Sequence, residues 1–355
     1  MKHIYKKLIQ GKRITEQEAL TLLNSAPLTD LGAISYDIRY RINPEPIVTY
    51  VIDRNINYTN ICLSGCKFCA YFRAPGDPEG YILSDEELKK KIEETLALGG
   101  TQILLQGGLH PELSIEYYER LFSFIKENFS IHIHALSPPE VIHISKLSGL
   151  SIEDVLRRLK ASGLDSIPGG GAEILVDSVR AIISPNKASS HEWLLVMEKA
   201  HELGMRTTAT MMFGHVETKA QRIEHLSKLR ALQDRTQGFT AFIPWPFQPR
   251  NTALSVPPST GDDYLRTLAV SRIFLDNFQN IQASWVTQGP KVAQIALFFG
   301  ANDFGSTMIE ENVVAATGVS HRLSEREIRR LINEAGFTPK QRLMDYTLVK
   351  KDLLE

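Results

Sequence analysis

Cys62, Cys66 and Cys69 are the only cysteines of the 355-residue chain, and they fall together as Cys62-Leu-Ser-Gly-Cys66-Lys-Phe-Cys69. Thiolates are the ligands that hold iron–sulfur clusters, and a cubane [4Fe–4S] cluster takes a full set of four. Three thiolates therefore hold three irons and leave the fourth open to a small molecule. A tetrahedral zinc site is the competing use of such a run, and it asks for a fourth Cys or His at ligand spacing. The nearest histidines downstream, His110, His132 and His134, lie more than 40 residues beyond Cys69. The start Met1-Lys-His-Ile-Tyr-Lys-Lys has no apolar stretch of the kind a secretory signal needs, so a reducing cytoplasm is expected.

Other chemistry-bearing residues gather after short apolar runs. Gln106-Gly107-Gly108-Leu109-His110-Pro111 follows one, and paired glycines let backbone groups approach a ligand closely. His132 and His134 alternate within another run and so point to the same side. His134, nearer the end of that run, can reach a substrate hydroxyl or carboxylate; a buried structural histidine is the other reading. Gly169-Gly-Gly-Ala-Glu173 puts a carboxylate where a ribose diol could be gripped, unless Glu173 caps a helix. Gly214-His215-Val-Glu217 and Asn302-Asp303 offer His215, Glu217 and Asp303 as unranked candidates for a base. Pro244-Trp245-Pro246-Phe247-Gln248-Pro249-Arg250 is stiff and aromatic; Trp245 can wall a pocket and Arg250 can meet a carboxylate.

The elements that must position these residues alternate along the chain. Strand patterns at 56–61, 102–105, 131–135, 165–167, 206–213, 239–243, 281–286 and 301–304 are separated by amphipathic stretches, the signature of successive βα units. Helices are expected from Ser114 to Asn128, 151 to 162, 191 to 203, 262 to 277 and 291 to 299. Ser84-Asp-Glu-Glu87 and Thr218-Lys-Ala-Gln221 read as capping boxes that start two more. Eight such strands over about 250 residues fit an α/β fold of the (β/α)8 TIM-barrel type, with an open doubly wound sheet as the alternative. Residues 1–50 read as an N-terminal helical extension, 51–319 as the barrel, and 320–355 as a C-terminal helical tail packed on it. In such barrels chemistry sits at the C-terminal ends of the strands, where every candidate above falls.

Composition excludes several classes. Net charge is −1 with dispersed Lys and Arg, which gives no electrostatic surface for nucleic acid or lipid. No apolar run approaches the length of a membrane span. A small-molecule substrate is expected.

The C-x3-C-x2-C spacing, with Phe68 before the last Cys and Ala-Tyr71-Phe after it, resembles the radical S-adenosylmethionine (SAM) enzymes. That resemblance implies a [4Fe–4S] cluster and SAM as cofactors, with SAM on the open iron. It also implies an external one-electron reductant of flavodoxin or ferredoxin type. It gives Gln106, Gly107, Gly108, Glu173 and Tyr71 to cofactor binding. Asp53–Asn60, Gln102–Pro111, Ile131–Ala135, Pro168–Ile174, Ala209–Thr218 and Phe239–Trp245 together resemble the cyclic dehypoxanthine futalosine synthase family, over roughly residues 5–345. The activity this implies is cyclisation of dehypoxanthine futalosine in menaquinone biosynthesis. A 5′-deoxyadenosyl radical would take the ribose C4′ hydrogen and the carbon radical would add to the benzoate ring. An adenosyl-adding enzyme like aminofutalosine synthase is the alternative.

Overall fold

The computed structural model describes residues 1–349. Its strands are β1 (Ile47–Val51), β2 (Asp53–Asn57), β3 (Gln102–Gln106), β4 (His132–Ala135), β5 (Ser166–Ile167), β6 (Arg206–Phe213), β7 (Phe239–Pro246), β8 (Asn280–Ile281), β9 (Asp303–Ser306) and β10 (Thr338–Gln341). β2 to β8 form one parallel seven-stranded sheet in sequence order. A parallel neighbour needs a crossover, and helices supply each one, covering the outer face of a curled sheet. The α/β architecture is the one expected. Its last strand differs in pairing. β9, within the stretch expected to close the barrel, pairs with β1 in a second parallel sheet of order β10-β1-β9. A single parallel bridge, Gln282 to Asp303, joins β9 to the end of β8. One residue, Ile52, separates β1 from β2, so the two sheets curl around one lumen.

Three helices, Lys2–Ile9, Glu16–Ser25 and Leu28–Ile42, precede β1. The run Ile-Val-Thr-Tyr-Val of β1 is β-branched and aromatic, which favours a strand where a helical extension was expected through residue 50. The tail likewise holds more than a helix, because β10 follows Glu325–Glu334. Both capping boxes are formed. Ser84 Oγ accepts from the Glu87 amide before Asp85–Ala97, and Thr218 Oγ1 from the Gln221 amide before Lys219–Thr236. The strand expected over 281–286 stops at Ile281. Trp285 already starts the helix Trp285–Ala296, which breaks at Gly289 (φ 77°) and restarts at Pro290, a residue suited to a helical first turn. The helix Asp177–Ile183 was not legible in the periodicity.

Buried and half-buried histidines make the fold acid-sensitive. Burial holds His225 down to about 3 and His201 down to about 4, and takes His134 well below its usual range. Below about pH 6.5 the unfolded chain binds protons that these folded sites refuse. Stability therefore falls as pH drops, at about 1.4 kcal/mol per pH unit for each such site. Glu140, pushed up to about 7 by burial, works in the opposite sense, so the diagnostic quantity is a difference. His225→Gln is expected to flatten the native enzyme's stability–pH slope by about 1.4 kcal/mol per pH unit between roughly pH 6 and 4, measured by urea unfolding. An unchanged slope would show that His225 protonates in the folded state.

Candidate active site

The cysteine loop leaves the C-terminal end of β2 and is tied down before the helix Asp85–Ala97 begins. The Cys62 amide donates to Arg73 O at 2.9 Å, the Arg73 amide to Asn60 O at 2.8 Å, and the Cys69 amide to Cys66 O at 3.1 Å. Cys62 Sγ accepts from two backbone amides, those of Ser64 at 3.4 Å and Leu109 at 3.3 Å. Burial pushes the Cys66 thiol up to about 11, while Lys187 opposes it. It also raises Cys69, against the amides of Tyr71 and Phe72. Among the described residues no three His, Cys, Asp or Glu side chains converge on one point as a single-ion site requires. A cubane spreads its thiolates over three different irons, and this donor set, all thiols on one pinned loop, fits it.

Gly107 and Gly108 are held by the same loop. A Cβ on Gly107 would lie 2.5 Å from the Tyr58 ring, and one on Gly108 would lie 2.1 Å from Ile61 O. The Gly107 amide donates to Glu140 Oε1 at 3.0 Å and the Gly108 amide to Thr59 O at 3.1 Å. These glycines let the end of β3 lie flat against the cysteine loop. Gln106, just before them, donates from Nε2 to Leu136 O at 3.2 Å and faces the lumen.

Glu173 connects that loop to the lumen. It is buried, with its backbone at φ 41°, a conformation that L residues rarely adopt. Oε1 accepts from Lys187 Nζ at 3.0 Å, and Arg180 stands 3.7 Å from Oε2. Oε2 has no hydrogen-bond partner, which for a buried carboxylate marks a place for a ligand donor. Burial draws the Lys187 ammonium down, but Glu173 and Cys66 outweigh this and keep it charged.

The lumen is a cavity of about 290 Å³. Strand alternation decides what faces it: Asp53 and Asn55 from β2, Gln102, Leu104 and Gln106 from β3, His134 from β4, Thr208 and Thr210 from β6, Ile243 and Trp245 from β7. Pro168, Gly170 and Gly171 rim it after β5, and Ser284–Thr287 after β8. Met308, Glu311, Val313 and Val314 cover one end, and Arg342, Met344 and Tyr346 fill the other. The wall is rich in amides and hydroxyls, with Trp245 and Trp285 as aromatic faces. Asn55 Oδ1 and Gln102 Oε1 are buried acceptors without partners.

The structure brings His134, Trp245, Gln106 and Glu173 to this cavity. His215, Glu217 and Asp303 stand elsewhere. Glu217 accepts the amides of Gly214 at 2.7 Å and His215 at 2.9 Å, and the Arg222 guanidinium at 2.8 Å. His215 Nδ1 lies 3.0 Å from Glu217 Oε2, and both side chains are fully buried. Burial pulls His215 down; Glu217 lies low because His215, Arg222 and two backbone amides outweigh the burial that would raise it. Together they brace the turn from β6 into its helix, outside the cavity lining. Asp303 takes a bidentate pair from Arg342 (2.5 and 3.0 Å) and the Thr49 hydroxyl at 2.6 Å, with no oxygen left over for proton transfer. Arg250 is exposed and outside the lining; the guanidinium at the lumen is that of Arg342. Tyr71 is likewise outside the lining, its hydroxyl on that of Tyr81.

Three groups escaped the sequence reading. Glu140 lies inside a helix opened by two prolines, with no motif around it. Its carboxylate accepts from Gly107, Tyr58 (2.7 Å) and Ser137 (2.5 Å), and so holds the glycine turn. Asp53 lines the lumen with the Ser306 hydroxyl on one oxygen and Gln102 Nε2 on the other at 2.7 Å. A charged first residue in a strand was the available signal. Arg342 sits in a tail expected to pack outside.

Comparison with known proteins fits this geometry. Residues 56–229 match the radical SAM superfamily, and residues 236–353 match the CofH/MqnC C-terminal region. The chain is 47% identical over 349 residues to the cyclic dehypoxanthine futalosine synthase of Halalkalibacterium halodurans, covering 98% of this chain and 94% of that one. It is 48% identical over 341 residues to the enzyme of the same name from Streptomyces coelicolor, covering 95% and 86%. It is also 44% identical over 308 residues to the 5-amino-6-(D-ribitylamino)uracil–L-tyrosine 4-hydroxyphenyl transferase of Archaeoglobus fulgidus, covering 85% and 89%. In fold it resembles the FeFe-hydrogenase maturase HydG of Carboxydothermus hydrogenoformans, with TM-score 0.78, 18% identity, and 97% and 80% of the two chains covered. No helix among the described residues is long and apolar enough to cross a membrane. A pinned three-cysteine loop over the mouth of a curled parallel sheet, joined to these similarities, makes the chain a radical SAM enzyme of the cyclic dehypoxanthine futalosine synthase family, with a [4Fe–4S] cluster and SAM as its cofactors.

Proposed function

We propose that the enzyme cyclises dehypoxanthine futalosine, in the cytoplasm and with an external one-electron reductant of flavodoxin or ferredoxin type. The observation that carries this reading is the single lumen whose wall offers amides and hydroxyls for a sugar beside two tryptophans for an aromatic ring. That wall suits a substrate carrying both parts in one molecule, and the two cyclases similar over nearly the whole chain act on such a molecule by name.

When bound, the cluster and SAM supply a 5′-deoxyadenosyl radical. That chemistry would remove the C4′ hydrogen of a ribose held in the lumen. C4′ then bonds to the benzoate ring, and the ring regains aromaticity by losing one electron and one proton. The chain's own residues bind, orient and exclude water. Gln106, the Gly107–Gly108 turn, Tyr71 and Glu173 serve the SAM side, with the unpartnered Glu173 Oε2 free to accept a ribose hydroxyl. Asn55, Gln102, His134 and Trp245 serve the substrate. Such positioning makes the bond formation unimolecular in effect.

The archaeal relatives favour a second reading, 4-hydroxyphenyl transfer between L-tyrosine and 5-amino-6-(D-ribitylamino)uracil. One assay separates the two. Anaerobically reconstituted protein with SAM, dithionite and dehypoxanthine futalosine is expected to yield 5′-deoxyadenosine and a product two hydrogens lighter than the substrate, read by mass spectrometry. Product only from 5-amino-6-(D-ribitylamino)uracil and tyrosine would replace the first reading with the second.

A further inference from the structure

Rearomatisation on the reading above releases a proton inside a lumen covered at both ends. The bases first suggested by the sequence stand outside the cavity lining. Among the other titratable groups that line it, Asp53 has Ser306 on one oxygen and Gln102 on the other, Glu173 is paired with Lys187, Glu311 caps three backbone amides, Arg342 is a cation and Tyr346 is a phenol. His134 is different. It is buried, faces the cavity, and makes one hydrogen bond, Nδ1 to Ser166 Oγ at 2.7 Å. The same hydroxyl lies 2.7 Å from His132 Nε2. The His132 side chain is 33% exposed and lines a separate groove of about 660 Å³ at the N-terminal ends of the strands. Met344 lines both the groove and the lumen and so stands between them.

We propose that His134, Ser166 and His132 form a proton relay that carries the proton of rearomatisation from the lumen through the barrel floor to solvent. This inference rests on the cyclisation reading. His134 Nε2 takes the proton from the ring carbon, whose C–H bond electrons stay with the ring. His134 Nδ1–H passes its proton to Ser166 Oγ, and Ser166 Oγ–H passes its own to His132 Nε2. His132 Nδ1–H then releases one to solvent in the groove. One proton enters and one leaves, and the ring's remaining unpaired electron goes to a one-electron acceptor of the iron–sulfur or flavin class. The charges around the chain favour outward movement. Arg342 and His132 face His134 and disfavour a cation there. At His132, Asp165 stands 3.9 Å from Nδ1, with Asp345 nearby, and these oppose Lys126, which is itself bonded to Asp165 at 2.6 Å. Burial lowers both rings, and it takes His134 furthest, so the inner imidazole is the poorer resting place.

Ser166→Ala keeps both imidazoles and removes the hydroxyl between them. In the reconstituted enzyme we expect product formation to slow about tenfold, within the range for general acid–base steps. Release of 5′-deoxyadenosine should slow less, so its ratio to product rises, and Ser166→Thr should restore the native ratio. A native rate and ratio in Ser166→Ala would overturn the relay. A second measurement needs neither the variant nor the substrate. ¹⁵N NMR of histidine-labelled native protein should show both His132 and His134 as the Nδ1–H tautomer. An Nε2–H tautomer at His134 would overturn the proposal, because that nitrogen could accept nothing. If the native enzyme makes no product from dehypoxanthine futalosine, the substrate reading fails and the relay with it, whereas a native enzyme that makes product and a Ser166→Ala variant that matches its rate and ratio overturn the relay alone.

Discussion

Cys66→Ala is expected to abolish turnover outright while leaving the protein folded. Cys66 is the buried member of the three thiols, set between Ser64 Oγ at 3.0 Å and the charged Lys187. Removing one ligand from a three-thiolate site leaves two irons exposed, and no other cysteine exists to replace it. The change is nearly isosteric with loss of one sulfur, so the fold should lose at most about 1–3 kcal/mol, the usual scale for a small core truncation. Three readings follow: iron and sulfide per chain after reconstitution should fall far below native, the brown absorbance should be lost, and neither 5′-deoxyadenosine nor product should form. Retained SAM cleavage with a depleted cluster would show that the radical arises elsewhere.

Gly108→Ala should disable the same centre without touching a ligand. The added methyl would meet Ile61 O at 2.1 Å and Cys62 Cβ at 2.8 Å. Neither side can yield freely, because the Gly108 amide is bonded to Thr59 O and the Leu109 amide to Cys62 Sγ. Relief must come from moving Cys62 away from its companions. Overpacking of this kind costs about 1–3 kcal/mol. The larger effect is geometric: cluster occupancy should drop several-fold and SAM cleavage with it, given how steeply activity falls with ångström displacements. Gly261→Ala is the matched control, since its Cβ would find only Val292 at 4.0 Å. Equal iron content in the two variants would refute the argument.

Much of this site was legible because its parts are local. Three cysteines in one loop carry their chemistry in their spacing, and the glycine and carboxylate loops follow apolar runs that could only be strands. His134 was legible by alternation, which the β3–β4 register then placed in the lumen. What the sequence hid depends on contacts between distant segments. His215, Glu217 and Asp303 follow apolar runs as a catalytic group should, yet Arg222 holds Glu217, Glu217 holds His215 and Arg342 holds Asp303, which turns all three to bracing. Arg342 lies 39 residues beyond Asp303 in a tail that looked peripheral. Ser166 occupies a strand of two residues, too short for periodicity to say which way its hydroxyl points. The position of β9 was read correctly, but its partner was not, because strand pairing leaves little trace in a single strand's composition.

Pairing of β1 with β10 joins Ile47–Tyr50 to Thr338–Gln341, segments nearly three hundred positions apart. A contact of that separation forms late, after the loop between its ends has been ordered. During synthesis the cysteine loop and most of the sheet emerge well before the segment holding Arg342, Met344 and Tyr346. The nascent chain can thus bring its three cysteines together while the lumen still lacks a floor. Ligand assembly and chamber closure are separate events in the life of this enzyme, and only the second makes it a vessel for radicals.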